Sequence, residues 1–393
     1  MAGSVILAGA RTPIGKLSGA LAGFSAAELG GFAIKAALER AGIKGEDVDY
    51  VFMGQVLQAG AGQIAARQAA NHAGIPMTVP ATTVNKVCLS GLNAIYLADQ
   101  MIQSGDADIV VAGGMESMTQ APHLLPNSRA GFKFGDVSLI DSLSYDGLFC
   151  AFDKVAMGGA TEKYAASAGL ERAPQDALAA ASHERAARAI KDGLFADEIV
   201  PVEIPQRRGD PIVFDTDEGV RGDTTAESLG SLRPAFDKAG NITAGNASQI
   251  SDGGAAVIVV SKAVAERLGA TPLGEIVGYG QVAGPDPSLL TQPSRAIKAA
   301  LDKAGKSVSD VSLFELNEAF AAVGLASMDD LGISDDVVNV NGGAIALGHP
   351  VGMSGTRVAL TILHELRRRG GGLGAAALCG GGGQGDAILL QVG

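Results

Sequence analysis

The sequence predicts a duplicated α/β protein with a loop-rich segment inserted into its first half. Three observations carry this. Residues 33–42 read AIKAALERAG and residues 296–305 read AIKAALDKAG; only two positions differ, and both keep their charge. The order of elements after each copy is also the same. An amphipathic helix ended by Gly is followed by an acidic turn and an apolar strand, at 47–52 in one copy and 310–315 in the other. Further on, Cys88-Leu89-Ser90-Gly91 opens a helix to Gly105 and a strand over 109–112. Gly352-Met353-Ser354-Gly355 opens a helix to about Arg369 and a strand over 375–378. Finally, the texture changes between about 119 and 249. Residues 121–149 mix Pro, Asn, Ser, Gly and aromatics without a period, 171–189 read as a helix, and 200–235 are charged and broken.

The resulting division is an N-terminal half at 1–118 completed by about 250–270, an inserted loop domain at 119–249, and a C-terminal half at 271–393. Apolar strands alternating with helices imply mostly parallel sheets covered by helices.

Composition narrows the function classes. Among 393 residues, 47% are hydrophobic and 18% charged, which is a globular balance. The net charge of −12 argues against a nucleic-acid protein, although a local basic patch still suits an anionic ligand. Cys88, Cys150 and Cys379 are too few and too scattered for a disulfide framework, which suits a reducing cytosol. The apolar run 5–10 stops at Arg11 and reads as a first strand rather than a signal peptide. No run approaches the roughly 18 apolar residues of a membrane span.

Cys88 lies between the apolar strand 82–87 and a helix N-terminus, where free N–H groups and the helix dipole favour a thiolate. It reads as a nucleophile or as a structural Cys. His349 sits among glycines before Pro350, as a plain turn residue or as a general base opposite the equivalent Cys88 turn. Cys379 ends the last strand ahead of Gly380-Gly381-Gly382-Gly383-Gln384-Gly385. That run matches G-x-G-x-x-G in form, but only a strand's length of chain follows, so a dinucleotide site is excluded. Glycines beside a Cys instead suggest N–H groups offered to an oxyanion. Asn317-Glu318-Ala319-Phe320 is a polar strand end or a helix cap. His72, His123, His183 and His364 show no metal-ligand spacing, and Arg367-Arg368-Arg369 reads as a solvated helix end.

Together these segments resemble the thiolase family over essentially the whole chain. Cys88 stands in N-x-x-C-x-S-G, residues 341–355 fit N-G-G-x-I-A-x-G-H-P-x-G-x-S-G, 317–320 are N-E-A-F, and Cys379 with Gly381 fits C-x-G-G-G. Residues 113–118 (GGMESM) and 243–248 (TAGNAS) add to the match.

The resemblance implies a duplicated core in five layers, α-β-α-β-α, and the reversible condensation of two acetyl-CoA to acetoacetyl-CoA and CoA. It makes Cys88 the acyl acceptor, His349 its base and Cys379 the acid/base at the α-carbon. Asn317 holds a water that forms one oxyanion hole with His349, and the N–H groups of Cys88 and Gly381 form the other. Arg221, Ser228, Ala244 and Ser248 belong to the coenzyme A site, with Leu148, Met157 and Leu290 near the pantetheine and acyl group. Coenzyme A is substrate and product; no metal or redox cofactor is needed. A cytoplasmic homotetramer, a dimer of dimers assembled through 121–145, is implied, with no nucleic acid or membrane as partner.

Ala156 stands where many members have His, Leu290 where a pocket Met is common, and Leu89, Met353, Gly380 and Gln384 are unusual beside their motifs. The alternatives are a degradative 3-ketoacyl-CoA thiolase for longer chains, a non-catalytic acyl-CoA-binding protein, and a ketoacyl synthase. The last would normally lack the second catalytic Cys.

Overall fold

Both copies of the repeated decapeptide end a helix in the same way. In the computed structural model, which describes residues 3–393, Gly42 and Gly305 each close their helix at φ 64°. This left-handed conformation suits Gly, which has no Cβ to clash.

The first half comprises β1 (Ser4–Arg11), the short β2 (Gly15–Lys16), α1 (Ala26–Ala41), β3 (Tyr50–Gly54), α2 (Ala65–His72), β4 (Ala81–Val84), α3 (Ser90–Ser104) and β5 (Ile109–Ser117). Ser25 and Glu28 form a capping box that starts α1. The chain then leaves the sheet. It makes hairpins β6/β7 (His123–Leu124, Ile140–Asp141) and β8/β9 (Phe149–Cys150, Val155–Ala156), then α4 (Met157–Ser167) and α5 (Arg172–Lys191). A third hairpin, β10/β11 (Val202–Ile204, Ile212–Phe214), and α6 (Ala226–Gly230) complete the insertion. β12 (Ser251–Ser261) returns to the first sheet, followed by α7 (Lys262–Leu268). The second half is β13 (Gly274–Ala283), α8 (Gln292–Ala304), β14 (Leu313–Leu316), α9 (Ala321–Leu331), α10 (Ala344–Leu347), α11 (Ser354–Arg368), β15 (Gly372–Gly380) and β16 (Gln384–Val392).

Strand order repeats the duplication. The first half runs β4-β3-β5-β12-β1, and the second runs β14-β15-β16-β13, with a parallel bridge from Phe314 to Val338 in the place of a fifth strand. The two sheets are also joined edge to edge, through antiparallel pairing of Val5 with Glu275 and Ile6 with Gly274.

The expected parallel sheets are not found: the sheets are mixed. β3 runs parallel to β4 and β5, and β14 to β15, but β12 and β16 run antiparallel to their neighbours. β12 comes back from the insertion against β5, and β16 folds back on β15 through a tight turn at Gly382 and Gly383, both at positive φ. Both strands are buried almost throughout, and their apolar runs, 255–260 and 387–390, show the pattern of parallel strands.

The five layers are present. Ile34 and Ala37 of α1 pack with Met53 and Val111 on one outer face, and Ile297 and Leu301 of α8 pack with Phe314 and Leu389 on the other. Between the sheets, Leu92 and Ile95 of α3 meet Leu360 and Leu363 of α11.

The two central helices start from matching turns, 86–91 and 350–355. In each, a Ser hydroxyl bonds back to its own turn: Ser90 to the Val87 carbonyl at 2.6 Å and Ser354 to the Pro350 carbonyl at 2.9 Å. The helix starts touch without room for side chains. A Cβ on Gly355 would lie 2.3 Å from the Leu92 nitrogen, and one on Gly91 would lie 2.8 Å from Thr356 Oγ1. This close crossing sets the two turns face to face.

Candidate active site

Cys88 and His349, one from each turn, line the same small cavity of about 50 Å³ with Cys379 and Gly381. Val87, Gly147, Leu148, Met157, Ser248, Leu289, Ala319, Phe320 and Val351 complete its wall. Val87 holds φ 52°, a left-handed conformation that is strained for a β-branched residue, immediately before the cysteine. The Cys88 sulfur is partly accessible, but only toward this enclosed, mostly apolar space.

Burial therefore dominates the thiol. The backbone N–H groups of Cys88 and Gly381 lie near the sulfur and favour its anion. Desolvation outweighs them, with Glu116 adding like charge, and the thiol is pushed up to about 12. Cys379, fully buried, is also pushed up, first by desolvation and then by the proximity of Cys88. The thiolate expected from the helix start is therefore not favoured: burial outweighs the helix start. Both thiols stay protonated at pH 7.

His349 is held from both sides. Its backbone N–H is donated to the Gln249 carbonyl and the Ser251 hydroxyl. Its Nδ1 lies 2.6 Å from Ser354 Oγ. The Pro350 carbonyl can only accept, so the Ser354 proton goes there and Nδ1 carries the ring proton. Nε2 is left with its lone pair, facing Asn317 Nδ2 at 3.4 Å. Burial, with Arg357 secondary, lowers the imidazole to about 3, so it is neutral and able to accept a proton. Asn317 is fully buried, and its Oδ1 has no hydrogen-bond partner among the described residues.

A larger cleft of about 650 Å³ shares Leu148, Met157, Ser248, Ala319, Phe320, His349 and Val351 with the small cavity. Ala244, Ala156 and Phe236 also line this cleft. Among the sequence-predicted residues, Cys88, His349, Cys379, Gly381, Leu148, Met157 and Ser248 converge on the cavity, Asn317 touches His349, and Ala244 lies in the cleft. Arg221 and Ser228 are exposed on the insertion and line neither space. The Arg221 backbone is anchored on His183 Nδ1 at 3.1 Å. Leu290 packs in the apolar cluster around Cys379, while its neighbour Leu289 lines the cavity. Cys150 is buried against a recess of about 560 Å³ that adjoins the small cavity through Val87, Gly147, Met157 and Gly381.

Sequence reading passed over Ser354, Leu289, Phe320 and Val351 as site residues. Ser354 and Val351 lie inside the His349 motif and Phe320 inside N-E-A-F, so the motifs contained them. Nothing local distinguishes Leu289 from Leu290. Among the described residues, no cluster of His, Cys, Asp or Glu is arranged to hold a metal ion, and no helix is long and apolar enough to cross a membrane.

Comparison with known proteins agrees with this geometry. The thiolase N-terminal domain matches residues 4–263, and the thiolase C-terminal domain matches 270–392. A Mycolicibacterium smegmatis protein named probable acetyl-CoA acetyltransferase is 60% identical over 98% of this chain and all of its own. One of the same name from Mycobacterium tuberculosis is 59% identical over the full length of both. The acetyl-CoA acetyltransferase of Cupriavidus necator is 52% identical over 98% of each chain. With two copies of one α/β half meeting at a Cys turn and a His turn, and with both domains matched end to end, the chain belongs to the thiolase family.

Proposed function

We propose that this thiolase-family acyltransferase condenses two acetyl-CoA to acetoacetyl-CoA and CoA, reversibly, through an acetyl group carried on Cys88. The observation that carries the reading is the single small cavity shared by Cys88, His349, Cys379 and Gly381. Cys88 Sγ attacks the thioester carbonyl while His349 Nε2 takes its proton, so no free thiolate has to accumulate. The proton leaves on the departing CoA sulfur, and acetyl-Cys88 remains. The N–H groups of Cys88 and Gly381, close to the sulfur, suit the thioester oxyanion.

In the second half-reaction, Cys379 gives its proton to His349 Nε2, and the resulting thiolate takes an α-proton from a second acetyl-CoA. The carbanion attacks acetyl-Cys88, and the Nε2 proton passes to the released Cys88 sulfur, which leaves both thiols protonated and the imidazole neutral again. Acetylation keeps Cys88 neutral, so its sulfur does not oppose the Cys379 anion during this step. The unpartnered Oδ1 of Asn317 suits a water that, with His349 Nε2 while it carries the Cys379 proton, donates to the enolate oxygen.

The cavity size favours the acetyl reading over a longer-chain degradative one. About 50 Å³ accommodates roughly four waters, enough for an acetyl group and little more. The 650 Å³ cleft suits pantetheine, with Arg221 and Ser228 at the surface for the nucleotide phosphates. Exposed Phe132, Phe134, Val137 and Leu139 support assembly through 121–145 into a tetramer, and the absence of paired cysteines suits the cytoplasm.

The test is mass detection of the acetylated residue after mixing with acetyl-CoA, with thiolysis measured over 3-ketoacyl-CoA chain lengths. Label on Cys88 and a steep fall beyond four carbons are expected. Label on Cys150, or faster thiolysis of long chains, would overturn the assignment.

A further inference from the structure

Glu116 ends β5 with its side chain fully buried, and the mechanism above does not use it. Its carboxylate accepts three backbone N–H groups. Val56 and Leu57, in the loop after β3, donate at 2.9 and 3.1 Å, and Gly352, in the His349 turn, donates at 3.0 Å. These donors come from opposite halves of the molecule. Gly352 has no room for anything larger: a Cβ there would lie 2.7 Å from Glu116 Oε2 and 2.9 Å from the Gln55 Cα. The Gly352 carbonyl is equally confined, and would lie 2.0 Å from a Cβ on Gly114. One buried charge thus closes the seam at which the His349 turn docks beside the Cys88 turn.

We infer that Glu116 is a positioning residue: its carboxylate clamps the His349 turn onto the first half and keeps a negative charge within reach of the Cys88 sulfur. This rests on the roles proposed for Cys88 and His349. Three N–H donors and no acceptor around the carboxyl favour the anion, while burial pushes it up to about 7, so at pH 8 it carries its charge. The charge opposes a free Cys88 thiolate, so the sulfur becomes nucleophilic only as His349 takes its proton. The other titratable groups facing these side chains are Cys379 toward Cys88, Asp252 toward Glu116 and Arg357 toward His349. Lys86, two residues before Cys88, is occupied by Asp386 at 2.7 Å.

The experiment compares Glu116→Gln, Glu116→Asp and Gly352→Ala for turnover, and for the rate at which iodoacetamide alkylates Cys88 at pH 8. Gln removes the charge and turns an amide toward an N–H donor. Asp keeps the charge but falls one methylene short. Gly352→Ala displaces the turn and leaves the charge. All three should lose turnover tenfold or more. Only Glu116→Gln should alkylate faster, by roughly threefold or more, equivalent to half a pH unit or more in the thiol.

Simple loosening would speed alkylation in all three variants, and that result overturns the electrostatic role. Turnover within twofold of wild type in Glu116→Gln overturns the clamp. If Glu116→Gln does not fold, wild-type turnover in both other variants overturns the proposal. Alkylation of the wild-type protein at a residue other than Cys88 would instead sink the functional reading beneath it, and peptide mapping separates the two failures.

Discussion

Removing the thiol of Cys379 should separate the two half-reactions. A serine hydroxyl is far less acidic than a thiol and does not shuttle a proton near neutrality. Cys379→Ser should still acquire an acetyl group on Cys88. It should be at least a hundredfold slower in forming acetoacetyl-CoA and in exchanging α-protons of bound acetyl-CoA with deuterated water. Acylation lost with exchange intact would reverse the roles of the two cysteines. Ser354 acts one bond further out, by fixing the His349 tautomer through Nδ1. Ser354→Ala leaves that buried N–H without its partner, a cost of about 1–3 kcal/mol that lets the wrong tautomer compete. Acylation measured by rapid quench should slow by roughly tenfold, with little change in the apparent affinity for acetyl-CoA. Unchanged acylation would mean that the tautomer is held by Asn317 alone.

At the scale of elements, the crossing of α3 and α11 decides whether the two turns meet. Gly355→Ala would drive a methyl group into the Leu92 backbone, which a side-chain rotation cannot relieve. The helix starts must separate, at a cost of about 1–3 kcal/mol, and the Cys88 and His349 turns separate with them. A lower melting temperature together with at least a tenfold loss of turnover is expected. A stable variant with full turnover would show that the crossing has slack. The same crossing explains the duplication's use: equivalent turns, starting equivalent helices, supply a sulfur from one copy and an imidazole from the other.

For the whole molecule, buried titratable groups shape stability against pH in opposite directions. His349 and His183 are lowered to about 3 and 4 by burial, so below 6.5 the unfolded chain gains protons that the native state refuses, and stability falls as pH falls. Glu116 and Glu315 are raised to about 7 and 8, again mainly by burial. Their unfolded forms lose protons near 4.5 while the native forms keep them, so stability falls as pH rises from 4.5 toward 8. The two effects oppose each other between 4.5 and 6.5. Melting temperature should therefore peak at about pH 5–6.5, drop steeply below 4.5 and decline gently toward pH 8. A melting temperature that climbs steadily to pH 8 would contradict the protonation states assigned to these carboxyls.

The duplication, the helices with their glycine stops, the insertion and the Cys, His and Gly residues that line the cavity were all legible in the chain, because each leaves a local mark. Helical periodicity, a glycine beyond the last turn and a cysteine before a helix depend on neighbours in sequence. Strand direction was not legible: the middle of β12 (255–260) and of β16 (387–390) is apolar at every position, and burial on both faces erases the alternation that would separate antiparallel from parallel pairing. Nor was the choice of Leu289 over Leu290 for the cavity wall, which depends on how the loop before α8 meets Phe320 and Cys379. The state of the thiols followed the same rule. A helix start beside Cys88 argues for a thiolate, but the surrounding protein contributes the larger, opposite effect. Glu116 shows it most plainly: its partners lie about 60 and 236 positions away. Chemistry-bearing residue types are written in the sequence, whereas their environment, which sets charge, tautomer and accessible volume, is a sum over distant residues that only the folded chain brings together.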